Sequence, residues 1–473
     1  MPGRRARRRP VGDALAGTGR FTCGVPEAVG VKRPSLDAVR GFDRAVYVVA
    51  VGQLINVFGS GLVYPFATVH FHLQVGIALA VVGLGLGARS VTTAAGTAVG
   101  GYLADSVGRK PVMVSSMALS AVALASFAFV PALAAAVPPG VAAAAGVSRV
   151  GVAFVGVCVA SGFVAGLYTP ASSAMTADLT DAEARDRGYA LLKFTNNVGF
   201  GAGFVAGGVL YSLASVSVFL LDGATSAVVA VVLLLYVPRS DVGGDEEADA
   251  DVDSSAESGA SLARWWAAAT QPRVLALAAI NLGIAVMYAQ MQTTVPIVAK
   301  EGLGLTAAQL GTLYVLNPLT IVLLQIPLVD AVAVWRRTRG LALSAAFWAV
   351  SMVVAWAADV GVGPVAVGVA LVGGHLVFRT VGEILHSPLA SSLMSSLGTD
   401  AERGTQLSVL EMAKRVGIGL GSFFGGLFFD YGLSTAWWGV LVVVCLGVAA
   451  ALLLFERSVT PRENGAFGDA TES

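Results

Sequence analysis

Charge is scarce in this chain. Only 13% of its 473 residues are Asp, Glu, Lys or Arg, against about 25% in an average soluble domain. Lysine is rarest of these: Lys32, Lys110, Lys193, Lys300 and Lys414 are the whole set, so Arg carries most of the positive charge. Cysteine occurs three times, scattered at Cys23, Cys158 and Cys445. The last two lie inside apolar runs, where a small buried hydrophobe is expected rather than a disulfide or a metal ligand. There is no HExxH, no CxxC and no phosphate-binding loop of the G-x-x-x-x-G-K type, so no recognisable enzyme or metal constellation is present. The first 40 residues lack the apolar core, roughly 7–15 residues long, of a signal peptide. Formal net charge is zero, so no nucleic-acid partner is expected.

What is abundant is apolar surface. Hydrophobic residues make up 56% of the chain and mean hydropathy is +0.75. That is too apolar for a soluble exterior and implies an all-α polytopic membrane protein. Twelve apolar segments are each long enough to cross a hydrocarbon core, which takes about 20 residues of helix. They fall near 44–68, 75–103, 111–133, 149–174, 188–211, 214–237, 273–299, 306–330, 340–358, 364–392, 406–428 and 434–456. Backbone polar groups in lipid must be satisfied within the segment, so each is expected to be helical.

Basic residues sort the loops. Arg109 and Lys110 follow span 2, Arg185 and Arg187 follow span 4, and Arg239, Arg264 and Arg273 follow span 6. Arg336, Arg337 and Arg339 follow span 8, and Arg403 follows span 10. The other loops carry little beyond Arg149, Lys300, Glu301, Asp359 and Asp430. Basic loops stay inside, which places both termini in the cytoplasm of a multi-pass cell-membrane protein. Residues 1–43, opening Met1-Pro2-Gly3-Arg4-Arg5, read as a disordered basic tail that could also meet anionic lipid head groups. Residues 238–272 contain the acidic run Asp245 to Asp253 and read as a solvated linker. The expected organisation is therefore a six-helix bundle at 44–237, the linker, a second bundle at 273–457 and a tail at 458–473.

The bundles repeat one another. Pro170 and Pro388 are 218 residues apart, as are Arg185 and Arg403, Gly199 and Gly417, Gly201 and Gly419, Gly203 and Gly421, Gly207 and Gly425, and Gly208 and Gly426. Spans 4–5 thus have parallel counterparts in spans 10–11. The stripes Gly199, Gly203, Gly207 and Gly417, Gly421, Gly425 let helix backbones approach closely, as static packing or as sliding interfaces.

The most informative loop is Gly100-Gly101-Tyr102-Leu103-Ala104-Asp105-Ser106-Val107-Gly108-Arg109-Lys110-Pro111. Gly101, Leu103, Ala104, Asp105, Gly108, Arg109 and Lys110 match in type and spacing the signature between the second and third spans of the major facilitator superfamily. The chain resembles that family over about 44–457. The resemblance implies twelve transmembrane helices in two parallel six-helix repeats rocking about a central site. It also implies that Asp105 and Arg109 latch the cytoplasmic ends of the halves; without it they form a surface pair worth about 0–1 kcal/mol. In the second half the loop survives only as Leu328, Val329, Asp330 and the three arginines. The closest pattern is that of bacterial and archaeal multidrug-type exporters. The chain departs from it where Gly203 is followed by Phe204 instead of proline. It also has no Arg in the middle of span 4, so Arg89 is a candidate to take over that work.

Ionisable groups inside a membrane are costly and usually functional. Arg89 lies about 24 Å deeper than Asp105, at ~1.5 Å per residue. Span 10 is the most polar, with His375, Arg379, Glu383, His386 and Pro388. Gly382-Glu383 followed by Pro388 resembles a pattern of drug exporters and peptide–proton symporters. Glu383 is the first candidate for proton coupling; the alternative is a static pair with Arg379. Polar residues placed to face a cavity are Gln53, Asn56 and Tyr64 on span 1, Asn281, Tyr288, Gln290 and Gln292 on span 7, and Tyr314 and Asn317 on span 8. Glu411 has Lys414 and Arg415 within helical reach.

Together these residues imply a monomeric secondary transporter that needs no cofactor beyond a proton or sodium gradient. It would export a small amphipathic or apolar molecule. Uptake of a nutrient is the alternative direction, and a transporter-like receptor the alternative class. Membrane lipid is its other expected partner.

Overall fold

The computed structural model describes residues 44–178, 185–237, 265–399 and 401–465. The basic segment at 1–43 and the acidic run at 245–253 lie outside the described residues. All twelve expected segments contain helix: α1 (Arg44–Val63), α2 (Leu79–Ser106), α3 (Arg109–Ala125), α4 (Arg149–Asp178), α5 (Arg185–Leu213) and α6 (Ser217–Tyr236) in the first half. The second half holds α7 (Pro272–Tyr288), α8 (Leu316–Val332, entered through Ala307–Tyr314), α9 (Arg337–Asp359), α10 (Val365–Ser395), α11 (Arg403–Asp430) and α12 (Ser434–Phe455). No strand occurs among the described residues.

Among the described residues, ten helices are long and apolar enough to cross a membrane. The expected twelve fall to ten by this measure because α5 and α11, at 29 and 28 residues, are less apolar. Both carry charge along their first turns and both are rich in glycine. They are also the helices that join the halves, so much of their surface meets protein rather than lipid.

The two halves share a device that the sequence repeat did not reveal. Beyond α1 and α7 the chain makes a π turn, at His70–Gln74 and at Val298–Gly302. Each turn leads to a glycine with positive φ, Gly76 at 79° and Gly304 at 65°. The Ile77 amide then donates to the Phe71 carbonyl at 2.9 Å, and the Leu305 amide to the Ala299 carbonyl at 3.0 Å. A side chain caps each turn: His72 Nδ1 donates to the Ile77 carbonyl and Lys300 Nζ to the Leu305 carbonyl, both at 2.9 Å. Every member of this set is displaced by 228 residues, not 218. The difference lies between the third and fourth helices, where the first half carries the short helix Pro139–Ala145. Arg149 fixes that connection by donating to the Ala135 and Val137 carbonyls.

The halves meet through backbone. A β-carbon on Gly83 of α2 would lie 2.0 Å from the Ser422 carbonyl of α11. One on Gly311, before α8, would lie 2.2 Å from the Phe204 carbonyl of α5. The same relation joins Gly426 to the Leu79 carbonyl, at 2.3 Å, and Gly208 to the Ala307 carbonyl, at 2.6 Å. These four positions obey both offsets at once, so α2–α11 and α5–α8 form one clasp twice over. The stripes singled out in sequence face elsewhere: Gly199, Gly203 and Gly207 abut α1, while Gly417 and Gly421 abut α7 and Gly425 lies against Gln290 and Thr294. Contact between the halves falls on their neighbours.

All four glycine contacts lie toward one end of the bundle, opposite the end that carries Arg109, Lys110 and Arg337. At this basic end the segment after α12 folds back. Asn464, buried, accepts from the Thr338 amide and donates to its hydroxyl. The Glu463 carbonyl accepts from Arg337 and Ser396, and its carboxylate pairs with Arg273 at 3.0 Å. Burial pushes the Glu463 carboxyl up, but bonds from Thr460 and the charge of Arg273 outweigh it and leave it below the usual range.

Gly83→Ala tests the clasp. Overpacking here is expected to cost about 1–3 kcal/mol, read as a lower melting midpoint in detergent. Gly439→Ala, where nothing lies within 4 Å, is the control and leaves the midpoint unchanged.

Candidate functional site: a cleft between two helical bundles

The signature loop is built by its last glycine. Gly108 adopts φ 106°, a region open to few L residues, and turns α2 into α3 within two residues. That turn aims Arg109 at the Ala174 carbonyl of α4, 3.2 Å away, and Lys110 at the Val237 carbonyl beyond α6, 2.6 Å away. Asp105 is exposed and Gly101 has open space beside it. These bonds stay within the first half. The second half reproduces them with other chemistry: Arg336 and Arg339 pair with Glu456 beyond α12 at 2.6 and 3.1 Å, and the Thr338 hydroxyl donates to the same carboxylate.

The candidate polar residues separate into two groups. In the first half Gln53, Asn56, Ser60 and Arg89 line one cavity of about 350 Å³, with Tyr168, Thr169, Ser172, Lys193 and Asn196. In the second half Arg379 and Glu383 pair at 3.0 Å. Arg379 is 3% exposed, and its guanidinium lies 5.4 Å from the Tyr288 ring and 5.3 Å from the Trp348 ring. Two aromatic faces therefore hold the cation, each cation–π contact worth about 0.5–2 kcal/mol. Glu383 is the open member: its side chain retains 29% exposure. Lys414 of α11 stacks over the other approach to Tyr288 at 5.1 Å, while Glu411 pairs with Arg415 at 3.0 Å. His386 is buried, with its ring 6.4 Å from that of Tyr288.

Several candidates turn out to hold helices together. Asn317 donates to Thr380, the neighbour of Arg379, at 2.8 Å. The Gln292 carbonyl accepts from Thr68 of the other half. Gln290 donates to Val286 and Gly421 and accepts from Trp437. Asn281 donates to Leu410, Tyr314 to Met291. Tyr64 lies within electrostatic range of groups in both halves, Arg379 and Glu383 of the second and Arg89 of the first.

Three residues escaped the sequence reading. Asp222 of α6 is 3% exposed and its Oδ1 has no partner among the described residues. The signal was one acidic residue inside an apolar 20-residue run. Trp348 gave no signal, since a Trp in an apolar span is ordinary. Asp430 read as a stray loop charge. Its carboxylate accepts the first two amides of α2, from Leu79 at 2.9 Å and Ala80 at 2.7 Å. One half thus caps a helix of the other, where the helix dipole favours an anion.

The ends of the bundle differ. At the Asp430 end the halves are joined by the glycine clasp, the Asp430 cap and the Thr68–Gln292 bond. Toward the basic end α2 parts from α7 and α11. An opening of about 960 Å³ lies between them, lined by Ala94, Thr97, Ala98, Leu282, Met412 and Arg415 among others.

The family model described as Major Facilitator Superfamily matches residues 49–398 and again 280–472. The chain belongs to that superfamily. It is a multi-pass membrane transporter, not an enzyme. It is 23% identical over 425 residues to the uncharacterized MFS-type transporter YttB of Bacillus subtilis (89% of this chain, 97% of that protein). It is 25% identical over 412 residues to the multidrug resistance protein MdtH of Aeromonas hydrophila (86% and 94%). The fold resembles the nucleoside transporter NupG, with a TM-score of 0.68 at 12% identity (87% of this chain, 99% of that one). It also resembles an auto-inhibited POT family peptide transporter, at 0.66 and 17% (91% and 99%).

Asp430→Ala removes the cap between the halves. Losing it costs about 0.5–2 kcal/mol, so the superfamily member should open more often at this end. Thr68→Cys in that background should react several-fold faster with a membrane-impermeant maleimide applied from this side. Equal rates with and without Asp430 would deny the cap a part in closure.

Proposed function

We propose that this chain is a secondary transporter working by alternating access, with the basic end in the cytoplasm and the conformation described here open to that side. All twelve helices cross the membrane in this reading, α5 and α11 included, and the working unit is the monomer. The observation that carries it is the asymmetry of the bundle. The halves clasp through backbone at one end and part at the other, and in the second half the Glu383 carboxylate, paired with a buried Arg379, retains exposure. Rocking about the clasp would close the opening and bring Asp105 and Arg109 toward the second half.

Glu383 is the proton-coupling group in this proposal. Among the described residues its carboxylate is the one anion paired with Arg379, a cation otherwise held by two aromatic rings. Protonation would leave Arg379 to those rings and free it to turn toward the cavity, changing what a substrate meets. The alternative of a static pair predicts lost stability on substitution and no change in coupling. Export of a small amphipathic molecule is favoured by the name of the MdtH relatives, a property of those proteins that we extend to this one.

The test is flux in liposomes containing purified protein, with an imposed pH gradient and fluorescent cationic, neutral and anionic amphipaths. Wild type should move at least one of them against its gradient. Glu383→Gln should lose gradient-driven movement at least about tenfold while retaining exchange, a barrier change near 1.4 kcal/mol or more. Wild-type flux indifferent to the pH gradient would remove proton coupling.

A further inference from the structure

The cavity of the first half carries charge of one sign. Arg89 and Lys193 line it, and no carboxylate does. Arg89 makes no ion pair among the described residues, and its Nε is buried without a partner. A cation left so inside a membrane protein is costly unless something neutralises it. The buried Asp222 of the same half lies within electrostatic range of Arg89 but does not line the cavity. Counted as ionised, it balances Arg89, and the cavity's remaining positive charge is the exposed Lys193 at its mouth.

The rest of the wall is rich in groups that can donate. Ser120 is 3% exposed and its hydroxyl has no partner. Tyr168 is buried, and its hydroxyl neighbours that of Ser172, which also faces the cavity. Gln53, Asn56 and Asn196 add amides. Arg89 is also held in place. A β-carbon on Gly162 of α4 would lie 2.3 Å from the Arg89 carbonyl, so the two helices lock its backbone. Thr93 donates to the same carbonyl at 2.7 Å. An Arg on a locked stretch of backbone, sharing a cavity with unpaired hydroxyls, supplies the charge and the donors an oxyanion needs.

We infer that this cavity binds the anionic group of the transported molecule, a carboxylate or a phosphate, with Arg89 as its principal partner and Lys193 at its exposed mouth. The inference rests on the transport reading above and narrows it, from any amphipathic molecule to one with a localised negative charge. An apolar remainder would extend toward Met117 and Leu124, which line the same cavity.

Binding to purified full-length protein in detergent tests this without requiring transport. The probes are benzoate, 1-naphthoate and phenyl phosphate, each compared with a neutral partner: benzamide, 1-naphthamide and phenol. At least one anion should raise the melting midpoint in a saturable way while its neutral partner does not. Whichever of the carboxylates or the phosphate binds tighter identifies the oxyanion. Arg89→Gln should weaken that binding about tenfold or more, as expected for a lost charge-assisted bond. Arg89→Lys should retain most of it, which separates a charge role from a folding role. Anions that stabilise no better than their neutral partners, or undiminished anion binding by a folded Arg89→Gln protein, would overturn the inference. Anion binding without any flux would instead leave the site standing and remove the transport reading.

Discussion

The structure depends on how closely two helix backbones can approach. At Gly83, Gly87, Gly208, Gly311 and Gly426 the neighbouring helix stands where a β-carbon would be. Dispersion contacts over so short a distance are strong because nothing intervenes, and no hydrophobic effect is needed to drive them in lipid. In the proposed rocking, the same closeness serves as the hinge. Glycines offer no interlocking side chains, so one half can tilt on the other without extracting knobs from holes. A clasp of leucines would hold as well but would resist rocking.

That constraint explains why α5 and α11 look least like membrane spans. A lipid-facing helix is selected for apolar bulk. A helix that sits between two bundles is selected for smallness, and glycine adds little hydropathy. Charge is tolerated at the basic ends of α5 and α11, where long side chains reach the interface. The apolarity count of ten and the helix count of twelve therefore describe the same molecule. Their difference marks the two helices that carry the joint.

The twelve segments were legible because length and hydropathy alone dictate helix in lipid. The signature loop was legible because Gly108, Arg109 and Lys110 keep a strict spacing. The repeat was only half legible. Its second offset of 228 rests on backbone geometry around Gly76 and Gly304, where His72 and Lys300 do the same work with different side chains. Residue identity conceals such equivalence, and the extra chain before α4 breaks the register. The candidate site was legible as a set of polar residues but not as groups. Gln53, Asn56 and Arg89 are brought to one cavity, while Asn281, Gln290 and Tyr314 are spent on bonds between helices. Sequence spacing places a side chain on a face; it does not say whether a neighbour's carbonyl will occupy it.

Charge placement in the two halves is complementary rather than duplicated. The second half pairs its buried cation with Glu383 and encloses it in Tyr288 and Trp348. The first half leaves Arg89 without such a partner and surrounds it with hydroxyls and amides. A duplicated fold would have allowed a symmetric pair of ion pairs, and that arrangement would be electrostatically closed in every conformation. With one half pairing its cation directly and the other not, the first half is the one left able to accept an anionic group in the proposed reading. Tyr64 lies within electrostatic range of Arg89 and of the Arg379–Glu383 pair. In the proposed mechanism an anion at Arg89 and a proton at Glu383 would each change the field at that ring, and the two halves would be coupled through it.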